Sequence, residues 1–123
     1  MSTLRGCLRP SLGGLLLAAA LTVTGCAPSP AAMATDRVAV VEPENAPDRW
    51  TYGPNRIEVE AGTAVTWHNG GTQFHTVTSD SPGRPFDLGL DPGKDAAFTF
   101  RQSGTFPYHC GVHPQMKGTV VVR

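Results

Sequence analysis

The sequence of 123 residues has little cysteine, little histidine and no excess of charge, and each shortage excludes a class of protein. Of three cysteines, Cys110 is the only one beyond residue 26. The Cys-x-x-Cys-His pattern of c-type haem attachment is absent. Four histidines are too few for an enzyme with several histidine-rich metal centres. Basic and acidic residues balance at ten each without a basic stripe, so no nucleic-acid partner is expected.

The most apolar stretch is residues 12–23, "LGGLLLAAALTV", which follows a segment with Arg5 and Arg9. It is too short to span a bilayer comfortably and is typical of a secretory signal. Small residues precede Cys26 in "VTGC", which resembles the lipobox of bacterial lipoproteins. We therefore expect a signal peptide at residues 1–25 and a lipid on Cys26. The chain would then be extracytoplasmic, anchored on the periplasmic side of the membrane or at the cell surface.

A second cleavage point exists after "AMA", residues 32–34, and would give a secreted or periplasmic protein without a lipid. Processing at Cys26 leaves 98 residues with eight basic and ten acidic side chains, enough for one small domain. An exported chain whose one remaining thiol has no partner cannot form an internal disulfide. Cys110 therefore calls for another role.

Composition divides the mature chain near residue 49. Residues 26–48 are rich in Pro, Ala, Ser and acidic side chains and predict a flexible, lipid-anchored tether, in which only residues 38–41 have the composition of a strand. Residues 49–123 contain short period-2 alternations separated by Gly, Pro, Asn and Asp, which predict an all-β sandwich or barrel. The longest candidate loop is residues 79–95.

The segment "FPYHCGVHPQMKGTVVV", residues 106–122, concentrates the soft side chains. On a strand, residues two apart face one side, so Cys110 should face inward and His109 outward. The chain then turns through His113 and returns at Met116. His75, inward on another strand, completes a set of two imidazoles, a thiolate and a thioether. This donor set is typical of blue-copper electron-transfer sites.

The spacing Cys-x2-His-x2-Met resembles the cupredoxin family, and within it the amicyanin-like and plastocyanin-like members. The segments "WTYGPNRIEVEAGTAVTWHN", "FHTVTSD" and "LDPGKDAAFTF" are similar to further family motifs, so the resemblance covers residues 49–123. It implies a Greek-key β-sandwich of seven or eight strands that holds one type 1 copper. His75, Cys110 and His113 would be the equatorial ligands and Met116 the axial one.

The resemblance further implies a one-electron carrier without enzymatic activity, expected to be a monomer, that meets its redox partners near His113. A backbone N–H near Thr76 would donate to the Cys110 sulfur. Two positions depart from the family pattern. Thr76 stands where Asn is frequent, which leaves open how the ligand loop is braced. Val112 stands where Pro is frequent and offers an N–H that could also reach the sulfur.

Other readings of these residues stay open at this stage. Cys110 could be a buried small hydrophobe, and Met116 could fill the core. A structural zinc site would need His109 to face inward. A copper-delivery or copper-buffering module would use the same ligands as an electron carrier. A metal-free interaction domain on the same fold would use none of them.

Overall fold

The computed structural model describes residues 31–123, so the expected signal peptide and Cys26 lie outside the described residues. Two sheets form the described part of the chain, which confirms the all-β prediction. A single 3-10 turn, Pro47–Arg49, interrupts the strands, and nothing in this range has the length and hydropathy of a membrane-crossing helix. The strands are β1 (Met33–Ala34), β2 (Arg37–Val41), β3 (Thr51–Gly53), β4 (Arg56–Val59), β5 (Thr63–His68), β6 (His75–Ser79), β7 (Asp87–Leu90), β8 (Asp95–Phe100), β9 (Gly104–His109) and β10 (Lys117–Val122).

Six strands form one sheet, in the order β1-β4-β10-β9-β6-β7, and four form the other, in the order β3-β2-β5-β8. The period-2 alternation places one face of each strand in the space between the sheets. Trp67 of β5 is fully buried there, and its ring meets that of Tyr108 of β9 edge-on at 5.5 Å between centroids. The apolar core thus joins the sheets and fixes the sandwich.

The N-terminal part of the sandwich differs from the expected tether. β2 pairs in parallel with β5 and antiparallel with β3, and β1 pairs in parallel with β4. Val38 and Val40 are 2% and 7% exposed, because β2 is an inner strand whose alternate side chains enter the core. The folded domain therefore includes residues before 49, and the boundary predicted there lies too far along the chain.

The strand count, ten instead of seven or eight, has two further causes. β7 lies inside the predicted long loop of residues 79–95 and pairs with β6. Its sequence, "DLGL", lies between Pro, Gly and Asp residues, so composition masks it. The strands β1 and β3 are edge strands of the two sheets, with two and three residues, and are too short to show a recognisable alternation.

Candidate metal centre

Neighbouring strands bring the four predicted ligands to one end of the sandwich. His75 is the first residue of β6, and Cys110 directly follows β9. β6 and β9 are antiparallel, with Thr78 opposite His109, so the start of β6 faces the residues that leave β9. His113 and Met116 lie on the connection from β9 to β10. This connection is a tight turn, because Met116 N–H donates to the His113 carbonyl (2.9 Å) and Cys110 N–H to the Met116 carbonyl (3.1 Å).

Three donor atoms face one another across this end. The Cys110 Sγ lies 3.7 Å from His75 Nδ1 and 3.8 Å from His113 Nδ1, and the two nitrogens are 3.2 Å apart. His75 and Cys110 are fully buried, whereas His113 is partly exposed. The sequence-predicted histidines and cysteine are therefore brought together as a single cluster.

The triangle of donors has the size that a small transition-metal ion requires. A triangle with sides of 3.2, 3.7 and 3.8 Å has a circumradius of about 2.1 Å, so one point lies at that distance from all three atoms. Bonds from imidazole nitrogen and thiolate sulfur to a first-row ion are about 2.0–2.3 Å. Two imidazoles with one thiolate also match the equatorial set of a type 1 copper site. Size and chemistry both fit.

Met116 is fully buried, and its backbone bonds to both Cys110 and His113, so it belongs to the same turn. His68 and His109 face outward as predicted. Their Nδ1 atoms lie 2.6 Å from carboxylate oxygens of Asp95 and Asp80 respectively. In the described residues, neither joins the donor cluster.

Hydrogen bonds from β6 restrain the sulfur and the loop that follows it. Thr76 N–H donates to Cys110 Sγ at 3.4 Å, as the family resemblance implied. Gly111 N–H donates to Thr76 Oγ1 at 2.7 Å, so the threonine hydroxyl braces the ligand loop. The second bond to sulfur that the Val112 amide could supply is absent from the hydrogen bonds among residues 31–123.

The bracing hydroxyl is itself held in one orientation. Thr78 Oγ1 donates to the acceptor-only carboxylate of Asp87 at 2.8 Å. Thr78 Oγ1 must then accept from Thr76 Oγ1, 2.9 Å away, which leaves a lone pair of Thr76 for Gly111 N–H. The three bonds therefore form a single ordered chain from Asp87 to the ligand loop.

A carboxylate that the sequence analysis missed contacts the first ligand. Glu42 Oε1 lies 2.7 Å from His75 Nε2, on the far side of the ring from the donor cluster. Burial alone would raise the pKa of Glu42, but hydrogen bonds from Thr72, His75 and Gln73 and the positive charge of a protonated His75 together lower it. Glu42 lies in the predicted tether, 33 residues before its partner. The available signal was its position directly after the valine-rich segment.

Trp50 is a second missed neighbour. Its indole meets the His113 ring edge-on at 4.9 Å between centroids and the His75 ring at 5.8 Å, so one side chain packs against both imidazoles. Burial and the positive charge of a protonated His75 lower the pKa of His113, although the Glu42 charge opposes them. His113 is therefore a neutral base at neutral pH, the form that binds a metal.

Comparison with known proteins places these features in a family. The model of the cupredoxin-like domain matches residues 15–122. The chain is 32% identical to amicyanin of Paracoccus denitrificans over 126 aligned positions, covering 98% of this chain and 93% of the relative. A purple cupredoxin from Nitrosopumilus maritimus superposes with a TM-score of 0.62 at 26% identity, covering 71% of this chain and 98% of that protein. The structure of a Cu(I) form of an amicyanin variant superposes with a TM-score of 0.61 at 25% identity, covering 77% of this chain and 85% of that protein.

Proposed function

The chain belongs to the cupredoxin-like domain family, and from that premise we propose that it is a mononuclear type 1 (blue) copper protein that carries single electrons between redox partners outside the cytoplasm. The observation that carries the proposal is the buried triangle of His75 Nδ1, Cys110 Sγ and His113 Nδ1. These three residues, together with the buried Met116, would hold the ion. The copper would supply the one-electron exchange between Cu(II) and Cu(I).

The protein's own residues keep that exchange free of large movements. Thr76 holds the sulfur through its backbone N–H and the ligand loop through its hydroxyl, and the β6–β9 pairing holds His75 against the loop. Burial of His75 and Cys110 excludes water from the donors. A site already shaped for the ion would change little when the ion gains or loses charge, which suits a one-electron carrier.

We place the docking surface for redox partners around His113, the partly exposed ligand, framed by Gly111, Val112 and Pro114. Val112 is 51% exposed and offers an apolar contact beside the imidazole. Brief redox encounters use small interfaces of this kind. A monomer that exposes this end of the sandwich would offer such a small interface to its partners.

For location, we propose that residues 1–25 direct export and that Cys26 carries a lipid anchor. This rests on the sequence "VTGC" and its preceding apolar run. The role as an extracytoplasmic carrier depends on the export signal, whereas copper binding depends only on residues of the described domain. The two parts of the proposal are therefore tested separately.

Colour tests the copper site. Cu(II) added to the purified protein should give a blue or blue-green species, because a thiolate bonded to Cu(II) absorbs intensely by charge transfer. Cys110→Ser should abolish this absorption, whereas His109→Ala and His68→Ala, which change outward histidines, should leave it nearly unchanged. Visible and electron spin resonance spectra provide the measurement. A colourless copper-loaded wild type, or loss of colour with His109→Ala, would contradict the assignment.

Copper delivery is the alternative use of the same ligands. A carrier keeps its ion through repeated oxidation and reduction, whereas a delivery or buffering protein releases it to an acceptor. The burial of His75, Cys110 and Met116 favours retention. Copper transfer to an apoprotein acceptor, measured during redox cycling, separates the two: release faster than electron exchange would support delivery.

A further inference from the structure

Glu42 is a largely buried acidic side chain outside the ligand set, and both of its carboxylate oxygens have hydrogen-bond partners. Its side chain is 10% exposed. One oxygen accepts from Thr72 N–H at 2.9 Å, and the other accepts from Gln73 N–H at 3.2 Å and faces His75 Nε2 at 2.7 Å. A carboxylate removed from water is costly unless such bonds compensate it. The hydrogen bonds from Thr72, Gln73 and His75 therefore stabilise the negative charge of the Glu42 carboxylate.

The bond to His75 decides which ring nitrogen is free. An ionised carboxylate only accepts hydrogen bonds, so His75 Nε2 must carry the proton. The neutral ring then has an unprotonated Nδ1, the atom that faces Cys110 Sγ and His113 Nδ1. Glu42 thereby selects the tautomer that can bind a metal before any metal arrives.

The fold delivers Glu42 from a separate element. β2 and β5 run parallel with Ala39 opposite His68, and continuing that register places Glu42 beside Gly71. A Cβ at Gly71 would overlap the Glu42 carboxylate, so this position requires glycine for the close approach. The buried Asn69 fixes the same loop, since its side-chain amide donates to the carbonyls of Gln73 and Leu90 at 2.7 and 2.9 Å.

We propose that Glu42 is a positioning residue for the metal centre: delivered by β2, it fixes the tautomer and orientation of His75 and sets the centre's preference for the higher oxidation state. The proposal rests on the proposed copper function for its second half and on the protein alone for its first. A nearby negative charge stabilises Cu(II) more than Cu(I), so it lowers the reduction potential. Carboxylates bonded to ligating histidines commonly affect metal affinity by about 10- to 100-fold.

Three variants of the full chain separate the contributions of Glu42. Glu42→Gln removes the charge and keeps an acceptor for His75. Glu42→Ala removes both. Gly71→Ala leaves Glu42 in the sequence but displaces its carboxylate. The matched controls are Glu44→Gln, an exposed acid two residues away, and Gly70→Ala, whose added Cβ meets only the His68 side chain at 3.4 Å.

The first measurement needs no metal. Nitrogen-15 NMR of the metal-free protein at pH ~8, above the unperturbed histidine pKa, reports the His75 tautomer. Wild type, Glu42→Gln and both controls should hold the proton on Nε2. Glu42→Ala and Gly71→Ala should show a mixture of tautomers. An unchanged tautomer in both of these variants overturns the positioning role.

The second measurement uses copper-loaded protein. Cu(II) affinity should fall by about 10- to 100-fold in Glu42→Ala and Gly71→Ala. Each tenfold loss that is specific to Cu(II) raises the potential by about 59 mV, and Glu42→Gln should show this rise with the tautomer intact. Equal losses of thermal stability with and without copper, at unchanged potential, would mean that Glu42 is merely structural. A wild type that binds no copper would overturn the proposed function, while the tautomer result would still decide the positioning role.

Discussion

At the scale of single residues, the site consists of the predicted metal ligands and of residues that hold those ligands in place. The two histidines and the cysteine present their donor atoms at distances that fit one ion. Thr76 and Glu42 contact those ligands from behind, one at the sulfur and its loop, the other at His75. Met116 stands between the groups, because its burial is consistent with either an axial donor or core packing.

Substitution of Met116 separates these two roles. A thioether is a soft, weak axial donor, whereas the amide oxygen of Met116→Gln is harder and prefers Cu(II), so the potential should fall. Met116→Leu removes the donor at nearly constant volume, so the potential should rise. Both proteins should stay blue because the Cys110 bond is unchanged. Voltammetry on the two proteins gives the answer, and unchanged potentials in both would assign Met116 to packing.

At the scale of elements, the sequence predicted the strands with a long run of alternating buried and exposed residues. It missed the strands in which that run is short or interrupted. Val65 and Trp67 of β5 alternate with the small or polar residues Ala64, Thr66 and His68, so the buried face of β5 could be identified. β7 has only Leu88 and Leu90 around a glycine, and its strand character comes from pairing with β6. Pro and acidic residues surround the strand-like residues of β2, so the composition of residues 26–48 as a whole predicts a tether. Composition averaged over a long segment conceals a five-residue strand.

The donor cluster was predictable for a related reason. Cys110, His113 and Met116 lie within seven residues, and the parity of β6 places His75 inward, so local pattern suffices. Glu42 and Trp50 reach the site through the pairing of β2 with β5 and through the 3-10 turn that precedes β3. Parallel pairing leaves no local pattern to read. These supporting groups therefore required the structure.

Two alanine substitutions test whether β2 contributes to the fold. Val38 is 2% exposed and Val41 is 40% exposed on the same strand, so Val38→Ala and Val41→Ala remove the same atoms from different environments. Burial of a valine is worth about 1.5–3 kcal/mol, so Val38→Ala should lower the free energy of unfolding by about 2 kcal/mol. Val41→Ala should change it by less than about 0.5 kcal/mol. Denaturant unfolding of both variants provides the measurement. An unchanged free energy of unfolding in both would mean that residues 38–41 do not contribute to the fold and belong to the tether.

At the scale of the whole molecule, the position of β1 limits how far the domain can stand from its proposed anchor. Six residues, 27–32, separate Cys26 from β1. At about 3.5 Å per residue, the seven steps from Cys26 to Met33 reach at most about 25 Å, against about 80 Å for a tether through residue 48. A lipid on Cys26 would therefore hold the sandwich close to the membrane surface. Redox partners would then have to reach the protein close to the membrane surface.

The two candidate N-termini differ in whether β1 survives, and this difference makes the anchor testable. β1 pairs with β4, Met33 opposite Ile57 and Ala34 opposite Glu58. Cleavage after Ala34 would remove β1 and expose the β4 edge, whereas processing at Cys26 keeps it covered. We expect the mature protein in the membrane fraction, beginning at Cys26 and carrying a lipid mass increment, with more than one acyl chain for stable anchoring. Cys26→Ala should lose the increment. Mass spectrometry of the fractionated protein decides, and a soluble product that begins at Thr35 would establish the other cleavage site.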